Sequence, residues 1–152
     1  VLEVARLHLY ESRLSVDYRE TSVEALAIEM RGTFDVIACM EMLEHVPDPG
    51  SVIRACATLL VPGGKLFLST LNRTPLAFGA AILGAEHLMR LLPRGTHHYG
   101  QFLKPSEIAA ELRASGLVLE DVSGIAYNPL SRKAWLTSSV AVNYLACATK
   151  PA

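Results

Sequence analysis

Residues 34–40 (F-D-V-I-A-C-M) and 65–71 (K-L-F-L-S-T-L) constrain the fold of this chain more than any other feature. Both runs are too short for a helix of ordinary length, and both are nearly continuous in apolar character. Such runs read as strands buried on both faces, the habit of parallel sheets. Between them, Asp48 and Pro49 have the chemistry of a helix N-cap and first turn. The helix they open would place Val52, Ile53, Cys56, Leu59 and Leu60 on one side, with Pro62-Gly63-Gly64 stopping it. Strand, helix and strand in this order predict an α/β fold with a parallel sheet.

The flanking sequence extends the pattern. Residues 1–12 read as a helix with a loose apolar face of Leu2, Ala5, Leu7 and Leu9, and residues 14–18 (L-S-V-D-Y) alternate as a half-buried strand would. A short helix is expected over residues 22–30, with Ser22 and Glu24 in its first turn. Residues 105–115 predict a helix closed by Gly116, followed by strands at 117–122 and 140–149. With 152 residues, 51% of them hydrophobic, the chain suits one domain. Fourteen basic residues balance 15 acidic ones, a net charge of −1 that offers no field for nucleic acid. Cys39, Cys56 and Cys147 are dispersed in apolar runs and read as buried free thiols of a reducing compartment. The opening Val1-Leu2-Glu3-Val4 has no basic segment before an apolar one, and no initiator Met, so an original N-terminus is expected to be missing.

Residues 76–92 differ from the rest. On a helical wheel Glu86, His87 and Arg90 share a narrow sector, while Phe78, Ile82, Leu88, Met89, Leu91 and Leu92 fill the remainder. The stretch falls short of the roughly 20 apolar residues that span a bilayer. It is suited to lie in a membrane interface, to pack beneath a lid, or to serve as a core helix.

Chemistry is expected where the two apolar strands end, because open α/β sheets bind ligands at that edge. There the sequence reads Met40-Glu41-Met42-Leu43-Glu44-His45 and Ser69-Thr70-Leu71-Asn72-Arg73. Glu41, Glu44 and His45 bring two carboxylates and an imidazole into five residues, with three readings open. They bind a hard divalent cation such as Mg²⁺; or His45 is a general base, imidazole being suited to proton removal near neutrality; or the carboxylates only cap a helix. His97-His98 beside Tyr99 is a weaker candidate, and Tyr10, Tyr18, Tyr127 and Tyr144 read as core or edge residues rather than a stacking platform. Cys39 lies within a strand and is not a nucleophile. No phosphate loop, nucleophile elbow or zinc-protease motif occurs.

The strand F-D-V-I-A-C-M followed by E-M-L-E-H-V-P-D-P, a helix, P-G-G and a second strand resembles the fourth-to-fifth-strand half of Rossmann-like class I methyltransferases. Further segments (S-T-L-N-R at 69–73, G-A-E at 84–86, L-P-R-G-T-H at 92–97, F-L-K-P at 102–105, Y-N-P at 127–129, V-N-Y at 142–144) resemble the ubiquinone-biosynthesis O-methyltransferases, over essentially the whole chain. That resemblance implies S-adenosylmethionine as cofactor and a polyprenyl catechol as substrate, with other proteins of the pathway as partners. It implies a cofactor contact at Met40 and a divalent-cation site at Glu41, Glu44 and His45, the metal favouring the catecholate. It gives residues 76–92, within an insertion at about 75–98, a lipid contact beside the active site. The implied location is cytoplasmic, peripheral on the inner membrane, or on the matrix side of a mitochondrion.

The family's first strand with its glycine-rich cofactor loop, and the acidic residue ending its second strand, have no counterpart in residues 1–152. In the family's sheet order, 3-2-1-4-5-7-6, the strand at 14–18 would then lose its neighbours and one edge of the strand at 34–40 would be bare. A single incomplete domain that binds the cofactor poorly by itself is expected. A dinucleotide-dependent oxidoreductase fragment and a non-catalytic lipid- or partner-binding module are the readings from other classes.

Overall fold

The computed structural model describes residues 2–12, 14–79, 99–128 and 131–152. Its framework is a five-stranded sheet in the order β1-β2-β5-β3-β4. β1 (Phe34–Met40) and β2 (Leu60–Leu71) are parallel, with Ile37 opposite Leu66 and Met40 opposite Ser69. β5 (Asn143–Thr149) inserts antiparallel between β2 and β3 (Val118–Asn128), and β4 (Lys133–Thr137) forms a hairpin with β3.

α3 (Pro49–Leu59) links the parallel strands as expected. Asp48 caps it, its Oδ1 accepting from Ser51 N–H at 3.0 Å, and Pro49 takes the first turn, where its missing N–H costs nothing. The amide that bonds Asp48 also holds its carboxyl below the usual carboxylate range. The helix stops earlier than expected. Leu60 already belongs to β2, and Pro62-Gly63-Gly64 lies within the strand's bent beginning. There Gly63 N–H donates to Lys150 O and Lys150 N–H to Gly64 O, at 2.8 and 2.9 Å. A Cβ on Gly64 would stand 2.9 Å from Val61 O and 3.1 Å from Asp35 O, so the bend requires glycine.

α3 and α5 (Pro105–Ala114) cover one face of the sheet. Val52, Ile53 and Cys56 of α3 and Ile108 and Leu112 of α5 meet Leu66, Leu68, Tyr144 and Ala146 of β2 and β5 in the main core. α2 (Val23–Glu29), capped by Ser22, packs Ala27 against Ala55 and Leu59 of α3. The opposite face is open. Val36, Ala38 and Met40 of β1 are exposed, and Lys65 and Phe67 of β2 only half-buried. Burial of both strands on two faces is therefore corrected: a second covering layer is absent among the described residues.

Residues 14–20 form no strand, contrary to the alternation of 14–18. Leu14 and Val16 are 66% and 46% exposed. A strand needs a ladder partner for its amides and carbonyls, and none is offered among the described residues. α1 (Leu2–Ser12) forms but leaves Val4, Leu7 and Tyr10 exposed. The expected strand at 117–122 continues to Asn128, the one at 140–149 begins at Asn143, and β4 was not anticipated. A helical turn, α4 (Pro75–Ala77), follows β2, and residues 80–98, which hold most of the amphipathic stretch and His97-His98, lie outside the described residues.

Candidate functional site

β1 and β2 point the same way, so Met40 and Leu71 end on one edge of the sheet. The chain leaves β1 through Glu41, whose φ of +49° is a left-handed conformation rare outside glycine. Two bonds pin it: Glu41 N–H donates to Ser69 O and to Ser69 Oγ, both at 3.0 Å. The Ser69 hydroxyl in turn donates to Glu41 Oε1 at 2.7 Å. An irregular backbone over-determined in this way is characteristic of functional edges.

A 3₁₀ turn, Leu43–His45, follows. Leu43 is fully buried and acts as its anchor. Glu44 is drawn inward with it to 2% exposure, where Oε2 accepts a hydrogen bond from Thr70 Oγ1 at 2.8 Å. Its other oxygen, Oε1, is buried without a hydrogen-bond partner among the described residues. His45, in contrast, is exposed, its backbone N–H donating to Met42 O at 2.9 Å. The two carboxylates that sequence spacing puts on one helical face are thus dealt to separate hydroxyls, Glu41 to Ser69 and Glu44 to Thr70.

Among the described residues no group of three His, Cys, Asp or Glu side chains stands where it would hold a metal ion. The tight turn from Glu41 to His45 buries the Glu44 carboxylate and leaves the Glu41 and His45 residues exposed.

Around this edge the segment after β2 is tied into the sheet. Asn72 N–H donates to Val142 O, Asn72 Nδ2 to Val140 O at 2.8 Å, and Thr74 caps α4 by accepting from Ala77 N–H. Arg73 pairs with Glu107, and Tyr144, fully buried, donates its hydroxyl to Leu103 O at 2.9 Å. The partners Ser69, Thr70 and Glu107 were not assigned from sequence. The signal available was a hydroxyl pair ending one strand opposite E-x-x-E ending its neighbour. Cys39 is inert as expected: burial, with a smaller contribution from the Glu44 charge, pushes its thiol up to about 11.

Met40 is 46% exposed on the bare side of β1. It lines a cavity of about 520 Å³ with Ile37, Cys39, Glu41, Met42 and Val23. A larger one of about 1090 Å³ runs from Met42 and Val46 to Phe34 and the 17–24 segment. Both are lined by residues of β1, whose far edge has no strand neighbour among the described residues. No helix among the described residues is long and apolar enough to cross a membrane.

The sequence profile of the family described as "Methyltransferase domain" matches residues 6–122. A ubiquinone biosynthesis O-methyltransferase of Xanthomonas axonopodis pv. citri is 64% identical over 151 residues, 99% of this chain and 63% of that protein. The chain thus spans slightly less than two thirds of the length of the curated relatives it matches. Among solved structures, a SAM-dependent methyltransferase of Methanosarcina mazei superposes with a TM-score of 0.61 at 15% identity, covering 90% of this chain and 68% of the other. An O-methyltransferase family protein of Burkholderia thailandensis gives 0.61 at 19% identity, covering 99% and 41%. The strand order β1-β2-β5-β3 reproduces the 4-5-7-6 half of the class I sheet. With its profile match covering most of its length, the chain belongs to the methyltransferase-domain family and carries its Rossmann-like α/β fold.

Proposed function

We propose that this chain is the substrate-side part of an S-adenosylmethionine-dependent O-methyltransferase that acts on a polyprenyl catechol in ubiquinone biosynthesis. The observation that carries the reading is the 64% identity to a ubiquinone biosynthesis O-methyltransferase across 99% of the chain. The residues fit one side of such a cofactor. Met40, Met42 and Ile37 offer an apolar wall at the end of β1, and Glu41 is the one carboxylate among the residues lining that cavity. When bound, S-adenosylmethionine supplies an electrophilic methyl group.

The chain's own residues hold the acceptor and move its proton. His45, exposed at the edge, takes the proton from the catechol hydroxyl, making the oxygen the stronger nucleophile. Ser69 and Thr70 fix the two carboxylates, so the turn that carries His45 is held rigidly on β2. Orientation and electrostatics then account for the rate. Residues 76–92, beginning with the exposed Leu76 and Phe78 at the same edge, rest on the membrane that holds the prenyl tail, and place the enzyme peripherally on it.

The test uses a complete enzyme, made by joining this chain to the part of the Xanthomonas relative that it does not match. In that enzyme His45→Gln is expected to lower kcat on a short-prenyl catechol by roughly 10²- to 10⁴-fold. The loss should shrink as rising pH ionises the catechol in solution. An unchanged kcat removes His45 as the base.

A further inference from the structure

The chain that leaves β2 comes back across the end of β1. Ser69 O accepts from Glu41 N–H, and Leu71 O, two residues on and therefore directed to the same side, accepts from Leu103 N–H at 3.1 Å. In a parallel ladder that second place belongs to residue 43. The left-handed turn at Glu41 takes the chain out of it, and Leu103 fills it. The Tyr99–Gln101 turn and Phe102 thus stand beside the edge that carries the site. Phe102 is buried with Leu71 and Ala77, and Tyr99 is edge-on to Phe78 and Phe102, with ring centroids 5.6 and 5.8 Å apart. Leu71 shares its face of β2 with Ser69, and Ser69 lies opposite Met40. The aromatic group therefore borders the face on which Met40 lines the smaller cavity.

One carboxylate bridges the outgoing and the returning chain. Glu107 pairs through Oε1 with Arg73, two residues past β2, and its Oε2 accepts from Lys104 N–H, the amide next to Leu103, at 2.9 Å. Both partners of the ion pair keep solvent access, 28% and 41% at their side chains, so the pair contributes little to stability. Its effect is to fix where residues 99–103 stand. We infer that residues 99–103 are the wall against which the acceptor's ring rests, and that Arg73 and Glu107 are positioning residues that clamp this wall at the end of β1. The inference rests on the reading that the acceptor is a prenylated catechol, whose ring an aromatic wall suits. Such a wall meets the ring away from its reacting oxygen and binds ground state and transition state alike. Displacing it therefore raises KM and spares kcat.

The test is steady-state kinetics of the joined enzyme on a short-prenyl catechol. Glu107→Gln keeps an oxygen for Lys104 N–H and removes only the charge. Glu107→Gln and Arg73→Gln are each expected to raise KM for the catechol roughly tenfold, with kcat and the KM for S-adenosylmethionine unchanged. The double variant should also rise about tenfold rather than roughly a hundredfold, because the same contact is lost in all three. Arg73→Lys, which keeps the charge, should stay near the parent value. A rise confined to Arg73→Gln overturns the clamp, since it would put the guanidinium on the acceptor itself. So do rises that multiply in the double variant, a fall in kcat in place of the KM rise, or an unchanged KM. Tyr99→Leu removes the ring and keeps an apolar side chain; it should raise KM as well, and an unchanged KM would overturn the wall. Failure of the functional reading appears separately, in the parent: a joined enzyme with Arg73, Tyr99 and Glu107 intact that methylates no prenylated catechol in detergent.

Discussion

Glu44 and Thr70 share one hydrogen bond in an environment where water does not reach either side chain. Removing the hydroxyl leaves both Glu44 oxygens without a donor among the described residues, and an unsatisfied buried acceptor costs more than an exposed one. Thr70→Val is therefore expected to destabilise the fold by about 1–3 kcal/mol, and Thr70→Val with Glu44→Leu by less than the sum of the two singles. Urea denaturation measures both; strict additivity would mean that the bond contributes nothing. The thiols set a pH dependence of the opposite kind. Burial raises Cys39 to about 11 and Cys56 to about 12, so the folded chain keeps protons that the unfolded chain releases first. Their stabilisation is complete below the thiol's ordinary value and is lost as pH rises through the folded values. Urea midpoints should fall between pH 9.0 and about 11, and less steeply in Cys39→Ala. An identical slope in that variant would contradict the assignment. At this scale the sequence showed which residues gather at the edge but not how they divide. Two carboxylates three residues apart do not reveal that a buried Leu43 will turn one inward and leave His45 outside.

Strands and helices were most legible where the chain supplies both partners of a contact. β1 begins and ends where its apolar run does, and α3 starts at the expected cap, because each is matched by β2 within the same chain. The strand expected at 14–18 fails for the converse reason: alternation describes a face, but a strand exists only beside another. β4 was missed because K-A-W-L-T gives no clean alternation, and its hairpin turn lacks the Asn-Gly signature. The same logic predicts behaviour at β1. One of its edges pairs with β2 and the other has no strand neighbour among the described residues, with Val36 57% exposed. Such an edge templates pairing with another copy unless a charge blocks it. Val36→Lys is expected to raise the concentration at which the chain self-associates in sedimentation velocity, with stability changed by no more than about 0.5 kcal/mol. Unaltered association would place the self-pairing surface elsewhere.

On the scale of the whole molecule, the described residues form one layer of helices on a five-stranded sheet. The parallel β-α-β unit was readable because it is local, and the order of the remaining strands followed from the family resemblance. The open face and the cavities beside β1 were not readable in detail, since they are defined by what packs there rather than by residues in the chain. Met40 and Glu41 line the smaller of these cavities, and His45 stands exposed in the turn that follows them. On the proposed function this chain lines the acceptor and one side of the cofactor, and the rest of the cofactor's binding residues lie in the part of the relatives that it does not match. Methyl transfer from S-adenosylmethionine to a short-prenyl catechol, measured for the chain alone and for the chain joined to the unmatched part of the Xanthomonas relative, tests it most directly. The account predicts no turnover and no measurable cofactor binding by the chain alone, and both in the joined enzyme. A joined enzyme that folds and binds S-adenosylmethionine but leaves the catechol unmethylated would contradict it.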